Sequence, residues 1–155
     1  MDNKVIYKKA SLADCKKLAP ILRKADKDEL IALCGENVNF EEILTQSLNN
    51  SLLAFSGYCN NEIIGMFGVG GNVLSGNGFI WLLTSNKVKL HKRELLIQAN
   101  SFIKYGLTIY KKLSNVIDVR NKANMLFLKH LNFKFGDKIK YNDCDFISFC
   151  RTRGK

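Results

Sequence analysis

The stretch Phe79-Ile-Trp-Leu-Leu-Thr-Ser85 is an apolar run too short for a helix, and turn-forming residues precede it at Gly76-Asn-Gly78. Such a run predicts a strand that is buried on both faces. The next segment, 86–113, predicts a short basic connection and then a long helix, because apolar residues from Leu95 to Leu113 recur at helical spacing over about five turns. A second apolar run, Val116-Ile-Asp-Val119, follows it. The region therefore predicts a β-α-β unit whose two strands are parallel neighbours, and the rest of the chain is arranged around this unit.

The segment before this unit predicts one strand followed by two helices. Val5-Ile-Tyr-Lys8 has strand-forming residues, and Ser11 is placed to begin a helix that continues through 18–33. Pro20 falls within this helix, where it is tolerated only near a first turn or at a kink, so it is expected to divide the helix. Gly35 is expected to end it. A second, shorter helix begins at Asn39 or Glu36 and ends at Asn49-Asn50.

Two antiparallel strands, 51–58 and 62–69, are predicted next, because Asn60-Asn61 accepts the backbone angles of a tight hairpin turn. The glycine-rich segment 70–78 predicts a flexible loop that leads into the central strand. After the central unit, Asn121 is expected to cap a helix over 122–131. The remaining features are a strand from 132, turns at 136–137 and 142–143, and a last strand at 145–150.

The whole chain is therefore predicted to be a single domain, residues 1–155, of class α/β (α+β). The predicted order is β-α-α-β-β-β-α-β-α-β-β, a mixed sheet of about six to seven strands with helices on both faces. No stretch reaches the ~18 consecutive apolar residues of a membrane span, and the amino terminus lacks the apolar core of a signal peptide. The sequence accordingly predicts a protein that is neither secreted nor inserted in a membrane.

The net charge of the chain is +10, from 24 Lys and Arg against 14 Asp and Glu. This excess favours association with something acidic, such as nucleic acid. The lysines are scattered in twos, as at Lys8-Lys9 and Lys111-Lys112, rather than gathered in a basic arm. A compositional bias in the coding genome would produce the same pattern. The charge alone supplies no recognition helix or aromatic platform.

The five cysteines are an odd number, lie far apart and form neither a Cys-x-x-Cys motif nor a Cys/His cluster. They predict no disulfide framework and no metal site, and they are expected to be reduced and mostly buried. The two histidines, His91 and His130, have no recognisable nucleophilic partner. Trp81 is expected to be a core residue, with stacking on a ligand as the alternative.

Arg23, Asp26 and Glu29 are spaced three apart on one helical face. This spacing fits either an exposed row of ion pairs or the lining of a substrate groove. The exposed row is the preferred interpretation, because surface pairs at this spacing are common.

The segment Val119-Arg-Asn-Lys-Ala-Asn-Met-Leu-Phe-Leu-Lys-His-Leu-Asn-Phe133 resembles the signature Asn-x-x-Ala-x-x-Leu-Tyr-x-Lys-x-Gly-Phe of the GNAT superfamily of acyl-CoA N-acyltransferases. The predicted order of strands and helices is also similar to that family. In active members the Tyr of this motif commonly returns a proton to the leaving thiolate. Leu128 occupies that position here, and Asn132 replaces the Gly.

A second family motif, Gln/Arg-x-x-Gly-x-Gly/Ala, closes backbone amides on the pyrophosphate of coenzyme A. This chain has Lys87-Val-Lys-Leu-His-Lys-Arg93 instead, with no glycine, so only charged side chains are left to attract the anion. The resemblance implies coenzyme-binding positions and no metal ligands, and the positions are Leu83, Thr84, Lys87, Lys92, Arg93 and Asn121.

The pieces Leu22-Arg-Lys-Ala-Asp-Lys-Asp-Glu29, Met66-Phe-Gly68, Trp81 to Ser85 and Asp118-Val-Arg-Asn121 are similar to a phage-encoded branch of GNAT-like proteins that includes internal virion proteins of short-tailed phages. That resemblance implies a small assembly protein with no bound cofactor and no catalytic activity. Its partners would be other virion proteins, with DNA nearby, in the virion interior and the infected host cytoplasm. The alternative is an acyl-CoA-dependent N-acetyltransferase that uses acetyl-CoA and has altered both motifs, and a third reading is a basic nucleic-acid-associated module.

Overall fold

The computed structural model describes residues 4–154, which fold around a single seven-stranded sheet. The strands are β1 (Ile6–Lys9), β2 (Ser51–Cys59), β3 (Glu62–Asn72), β4 (Asn77–Thr84), β5 (Lys112–Asp118), β6 (Lys134–Tyr141) and β7 (Cys144–Thr152). The helices are α1 (Leu12–Leu18), α2 (Lys24–Cys34), α3 (Phe40–Asn49), α4 (Lys92–Ile109) and α5 (Lys122–His130), with single 3₁₀ turns at Ala19–Ile21 and Asn86–Leu90.

The order of strands in the sheet is β1-β2-β3-β4-β5-β7-β6. All neighbours are antiparallel except β4 and β5, which are parallel and joined by α4, as the β-α-β prediction requires. The predicted class and element order are confirmed. Pro20 lies in the 3₁₀ turn between α1 and α2, so it divides the first predicted helix. Gly35 ends α2 and Asn39 caps α3, both as predicted.

The hairpin turn and the helix cap predicted from asparagines are present. Asn60 and Asn61 have φ values of 51° and 64° in the turn between β2 and β3. Asn121 Oδ1 accepts a hydrogen bond of 3.3 Å from the amide of Asn124 in the first turn of α5. The turn predicted at 142–143 also has positive φ angles.

Three local predictions were wrong. Segment 70–78 is not a flexible loop, because β3 runs to Asn72 and β4 begins at Asn77. Glycine is required at position 70 by packing rather than by a loop, because a Cβ there would lie 2.4 Å from the carbonyl oxygen of Asn50. The predicted helix was expected to continue to Leu113 but ends at Ile109, so β5 begins at Lys112, four residues before Val116. Finally, 136–137 is an irregularity within β6 rather than a turn.

The helices pack on both faces of the sheet and create two apolar layers. On one face α1, α2 and α3 cover Met66 and Leu83. On the other face α4 and α5 cover Phe67 and Val69. Successive residues of β3 and β4 alternate between the layers, as in a strand buried on both sides.

The cysteines are free, and only Cys15 is buried, so the expectation that most would be buried was wrong. Within residues 4–154 no group of three His, Cys, Asp or Glu side chains is placed to hold a metal ion. None of the helices described is both long enough and apolar enough to cross a membrane.

Candidate functional site

The two parallel strands at the centre of the sheet separate after three residue pairs. The last pair joins Phe79 of β4 to Ser114 of β5. Beyond it the side chain of Asn115 replaces the strand ladder, because its Nδ2 donates to the carbonyl oxygen of Ile80 at 2.7 Å and its Oδ1 accepts from the amide of Val116 at 2.8 Å. The carboxyl ends of β4 and β5 therefore border an opening, called the split below.

Helix α2 lies across the split and holds its two sides with carboxylates one turn apart. Asp26 Oδ2 accepts a hydrogen bond of 2.9 Å from the amide of Thr84, at the end of β4. Glu29 Oε1 accepts one of 2.9 Å from the amide of Asp118, at the end of β5. Strand amides that have lost their ladder partner are costly to bury unpaired, so these side chains satisfy both.

The charges around this contact are paired in two separate groups. Arg23 Nη2 donates to Asp26 Oδ1 at 2.9 Å and also to Asn124 Oδ1 at 2.9 Å, which ties α2 to α5. Arg120 donates to both carboxylate oxygens of Asp118. Asp26 is completely buried, so the interpretation of Arg23, Asp26 and Glu29 as an exposed ion-pair row was wrong. Exposure of these residues depends on where the sheet opens, which helical spacing does not specify.

Glu29 is the titratable group at the split. Burial raises its pKa to about 7, and the nearby carboxylates of Asp26 and Asp118 act in the same direction. The hydrogen bond from the Asp118 amide and the charge of Arg23 oppose this increase. A carboxyl group with a pKa near neutrality can both take up and release a proton at physiological pH, which is the property required of a general acid or base.

A cavity of about 210 Å³ passes through the split from one face of the sheet to the other. On the α2 and α3 side its wall includes Glu29, Leu30, Leu33, Ile43, Ser47 and Trp81. On the α4 and α5 side it includes Leu95, Ala99, Phe102, Asn124, Phe127 and Leu128. Glu29 is the only charged residue of the cavity wall within residues 4–154. An apolar cavity with a few polar groups is typical of small-molecule sites.

The residues predicted by family position lie on several different elements. Leu83 lines the cavity, and Thr84 is buried beside it with its amide bound to Asp26. Asn121 caps α5. Lys87 lies in the 3₁₀ turn and forms an ion pair with Glu62, while the basic pair that opens α4, Lys92 and Arg93, is exposed. These cations lie at the start of α4, with no glycine to bring backbone amides close to an anion.

Asn115 and Asn124 were not predicted as site residues. Both are single asparagines, and no motif or spacing in the sequence marks them as site residues. For Glu29, an exposed ion pair was preferred over a position in the lining of a substrate groove. Leu128, at the position of the family tyrosine, lines the cavity, and no tyrosine does so within the residues described. The hydroxyl of Tyr58 binds Asp14, and that of Tyr110 donates to the carbonyl of Gly71 at 3.1 Å, both outside the cavity.

No known protein-family profile and no curated protein matches the sequence. Solved structures do match. A GNAT-family acetyltransferase from Streptococcus pneumoniae is 15% identical with a TM-score of 0.67, and the match covers 97% of this chain and 100% of that one. Spermidine N-acetyltransferase from Vibrio cholerae, in complex with CoA and spermine, is 11% identical with a TM-score of 0.70, over 98% and 97% of the two chains.

A ribosomal-protein-alanine N-acetyltransferase from Brucella melitensis is 12% identical with a TM-score of 0.64, and the match covers 95% of this chain and 99% of that one. Identities this low establish similarity of fold rather than of activity. The chain therefore has the fold of the GNAT acetyltransferases over nearly its whole length.

Proposed function

We propose that the chain is an acyl-CoA-dependent N-acyltransferase whose reaction takes place in the split. The observation that carries this proposal is the cavity that crosses the sheet between β4 and β5, with Glu29 in its wall. A cavity lined from both faces of the sheet would let a donor bind on the α4 side and an acceptor on the α2 side. The similarity of fold to acetyltransferases, one of them in complex with CoA, supports the same function.

The amide-containing arm of coenzyme A has backbone partners in the split. Hydrogen-bonding groups alternate sides along a strand, and the carbonyl of Ile80 and the amide of Thr84 both point toward β5. Leu82 lies between them, so its N–H and C=O face the same way, beyond the last pair with β5. An extended arm could pair with Leu82 as a short additional strand does.

The phosphate end of coenzyme A would be held by side chains. Lys92 and Arg93 open the 18-residue helix α4, whose amino terminus carries a partial positive charge. Without a glycine, the backbone amides stay behind the side chains, and the contact is made by exposed cations. Lys87 would have to leave Glu62 to join them.

In the reaction, the acceptor nitrogen attacks the thioester carbonyl carbon, so a C–N bond forms and the C–S bond breaks. An acceptor that arrives as an ammonium first releases one proton to solvent. The proton that the nitrogen then loses on attack passes to the Glu29 carboxylate, and the departing sulfur gains a proton to leave as the free thiol. Glu29 can supply that proton, because its pKa of about 7 lies close to working pH. No tyrosine lines this cavity in residues 4–154, so one carboxyl group serves both steps.

Release of free thiol from acetyl-CoA in the presence of a panel of small amines tests this function. Glu29→Gln should lower kcat by about 10²-fold or more, the usual contribution of a positioned general base, and leave acetyl-CoA affinity nearly unchanged. Asp28→Asn is the matched control, since Asp28 is on the same helix, does not line the cavity and forms an ion pair with exposed Lys24. A wild-type protein that binds acetyl-CoA but acylates no amine would contradict the proposal.

The second candidate function is a non-catalytic virion protein on the same scaffold, as the phage resemblance implies. Three observations favour it. The carboxylates of Asp26 and Glu29 already accept hydrogen bonds from the strand amides at the split. Leu128 replaces the family tyrosine, and the start of α4 lacks glycine. Such a protein would act inside the virion and the infected host cytoplasm, with other virion proteins as partners and DNA near its positive charge. It would bind acetyl-CoA only in the millimolar range, and salt would abolish that binding.

A further inference from the structure

We propose that the half of the cavity on the α2 and α3 side binds a small amine that carries a single positive charge on an apolar body. This inference rests on the proposed function and names the acceptor class of the same site. It is carried by three features of that half of the cavity: the apolar wall, the single unpaired carboxylate and the orientation of Trp81.

The wall on this side is built from side chains of one apolar layer. Trp81 and Leu83 of β4 pack with residues of α1, α2 and α3, whereas their neighbours Ile80 and Leu82 pack on the opposite layer. Leu30, Leu33 and Ile43 complete the wall from the two helices. A molecule bound here would lose most of its hydration, so most of its surface must be apolar.

Among residues 4–154, Glu29 provides the one charge in this wall. The charged groups that face it from α2 and β5 are neutralised in pairs, Asp26 with Arg23 and Asp118 with Arg120. Glu29 has no cation of its own, and its carboxylate forms no hydrogen bond within residues 4–154 other than that of Oε1 with the Asp118 amide. One ammonium group on the ligand would supply the missing partner.

Trp81 presents an apolar surface to the same space. Its indole Nε1 donates to Ser51 Oγ at 2.8 Å, and Ser51 Oγ in turn donates to the carbonyl of Ser47 at 2.7 Å. Gly68 leaves the room for the indole, because a Cβ there would lie 2.6 Å from Nε1. Since the polar edge of the ring is already satisfied, the rest of the indole is available to an apolar ligand or to a cation near the ring.

Size and charge together exclude other acceptors. The whole cavity, about 210 Å³ over both halves, is already below the ~300–1,000 Å³ of typical ligand sites, so the half on the α2 and α3 side has room for a small molecule and not for a peptide segment. A polyamine would bring additional ammonium groups into a wall with one carboxylate, and each unpaired ammonium would lose hydration without compensation.

Fluorescence of the protein reports on this site directly, because Trp81 is the only tryptophan in the chain. The full-length protein, without any acyl donor, is titrated with 2-phenylethylamine, with the neutral analogue 2-phenylethanol and with spermidine at constant ionic strength. We expect saturable quenching or a spectral shift with the amine, affinity about tenfold or more weaker for the alcohol, and no saturable response to spermidine.

Two further comparisons use the ionisation of Glu29. Amine affinity of the wild type should rise between pH 5 and pH 8 while that of the alcohol stays constant, because deprotonation creates the charge that binds the ammonium. Glu29→Gln should bind amine and alcohol equally, and Asp28→Asn should behave as the wild type.

Equal affinity for amine and alcohol in the wild type, or tighter binding of spermidine, would overturn the inference. Since no acyl donor is present, these results are independent of catalysis. Selective amine binding by a protein that transfers no acyl group would retain the acceptor site and contradict only the proposed function.

Discussion

Glu29 and Asp118 are joined by a hydrogen bond of 2.9 Å from the Asp118 amide to the Glu29 carboxylate, 89 residues apart in the chain. The contact places a partly buried acid at the end of a strand that has lost its neighbour. The same amide could be satisfied by a neutral acceptor, so the negative charge of Glu29 is not needed for the hydrogen bond. The charge instead makes a pH-dependent contribution to stability, which can be measured.

Glu29→Gln should make the free energy of unfolding less dependent on pH. The pKa of Glu29 is raised from 4.5 to about 7 on folding, so the folded state holds the extra proton between these values. The stability that this residue contributes is complete below pH 4.5 and lost as pH rises through 7, by as much as about 3 kcal/mol. Glutamine keeps the acceptor for Asp118 without ionising.

Urea unfolding at pH 4 and pH 8 checks this prediction. The variant should match the wild type at pH 4 and be more stable at pH 8. Glu36→Gln, at an exposed position, is the control and should show no such difference. A variant that is less stable than the wild type at pH 8 would contradict the account of Glu29.

Asp26→Ala should destabilise the fold by about 3–5 kcal/mol, because it leaves the buried guanidinium of Arg23 without its carboxylate. It also removes the acceptor for the amide and hydroxyl of Thr84. Asp28→Ala should change stability by less than about 0.5 kcal/mol, since Asp28 forms an ion pair with the exposed Lys24. Chemical denaturation of both variants tests this difference. If Asp26 formed only an ordinary surface pair, the two variants would lose similar amounts of unfolding free energy.

Gly68→Ala should displace the indole of Trp81, because the new methyl group would lie 2.6 Å from Nε1 and 2.8 Å from Ser51 Oγ. We expect the hydrogen bond between Trp81 and Ser51 to break, at a cost of about 1–3 kcal/mol, with a shift in tryptophan emission. Gly154→Ala is the control, since a Cβ there meets nothing within 4 Å. An unchanged emission spectrum in Gly68→Ala would show that the indole does not occupy this position.

Asn121→Ala should lower the free energy of unfolding by about 1 kcal/mol through loss of the cap on α5. Asn121→Ser should recover most of that loss, because serine also accepts the amide of Asn124 at this position. If alanine and serine have the same denaturation midpoint as asparagine, the cap contributes nothing and the boundary of α5 is set by packing alone.

Local signals were enough to predict most of the fold. Two asparagines specified the β2–β3 turn, and Asn121 specified the start of α5. The apolar periodicity predicted too long a helix α4, because Tyr110 and Leu113 continue the helical spacing although both belong to the extended chain after the helix. The glycines of 70–78 led to the wrong prediction of a loop for a different reason. Glycine is required both in turns and where other parts of the chain approach closely, and the sequence does not distinguish the two.

The chemistry of the split could not be predicted from the sequence. The spacing of Arg23, Asp26 and Glu29 identified the correct helical face. Whether that face meets water or two strand ends depends on the position of α2 on the sheet, which is a tertiary property. Asn115 and Asn124 were missed because single asparagines in a strand or a helix carry no local signal for a site.

The most direct test of the central claim is calorimetric titration of acetyl-CoA into the wild type and into Ala99→Phe, with exposed Ala123→Phe as the matched control. If the donor arm enters the split, the wild type and Ala123→Phe should bind saturably with a Kd below about 1 mM, or better than about −4 kcal/mol, at physiological salt. Ala99→Phe should fill the cavity beside Phe102 and abolish that binding while remaining folded. The account would be contradicted if the wild type shows no saturable binding up to millimolar acetyl-CoA, or if Ala99→Phe binds as tightly as the wild type.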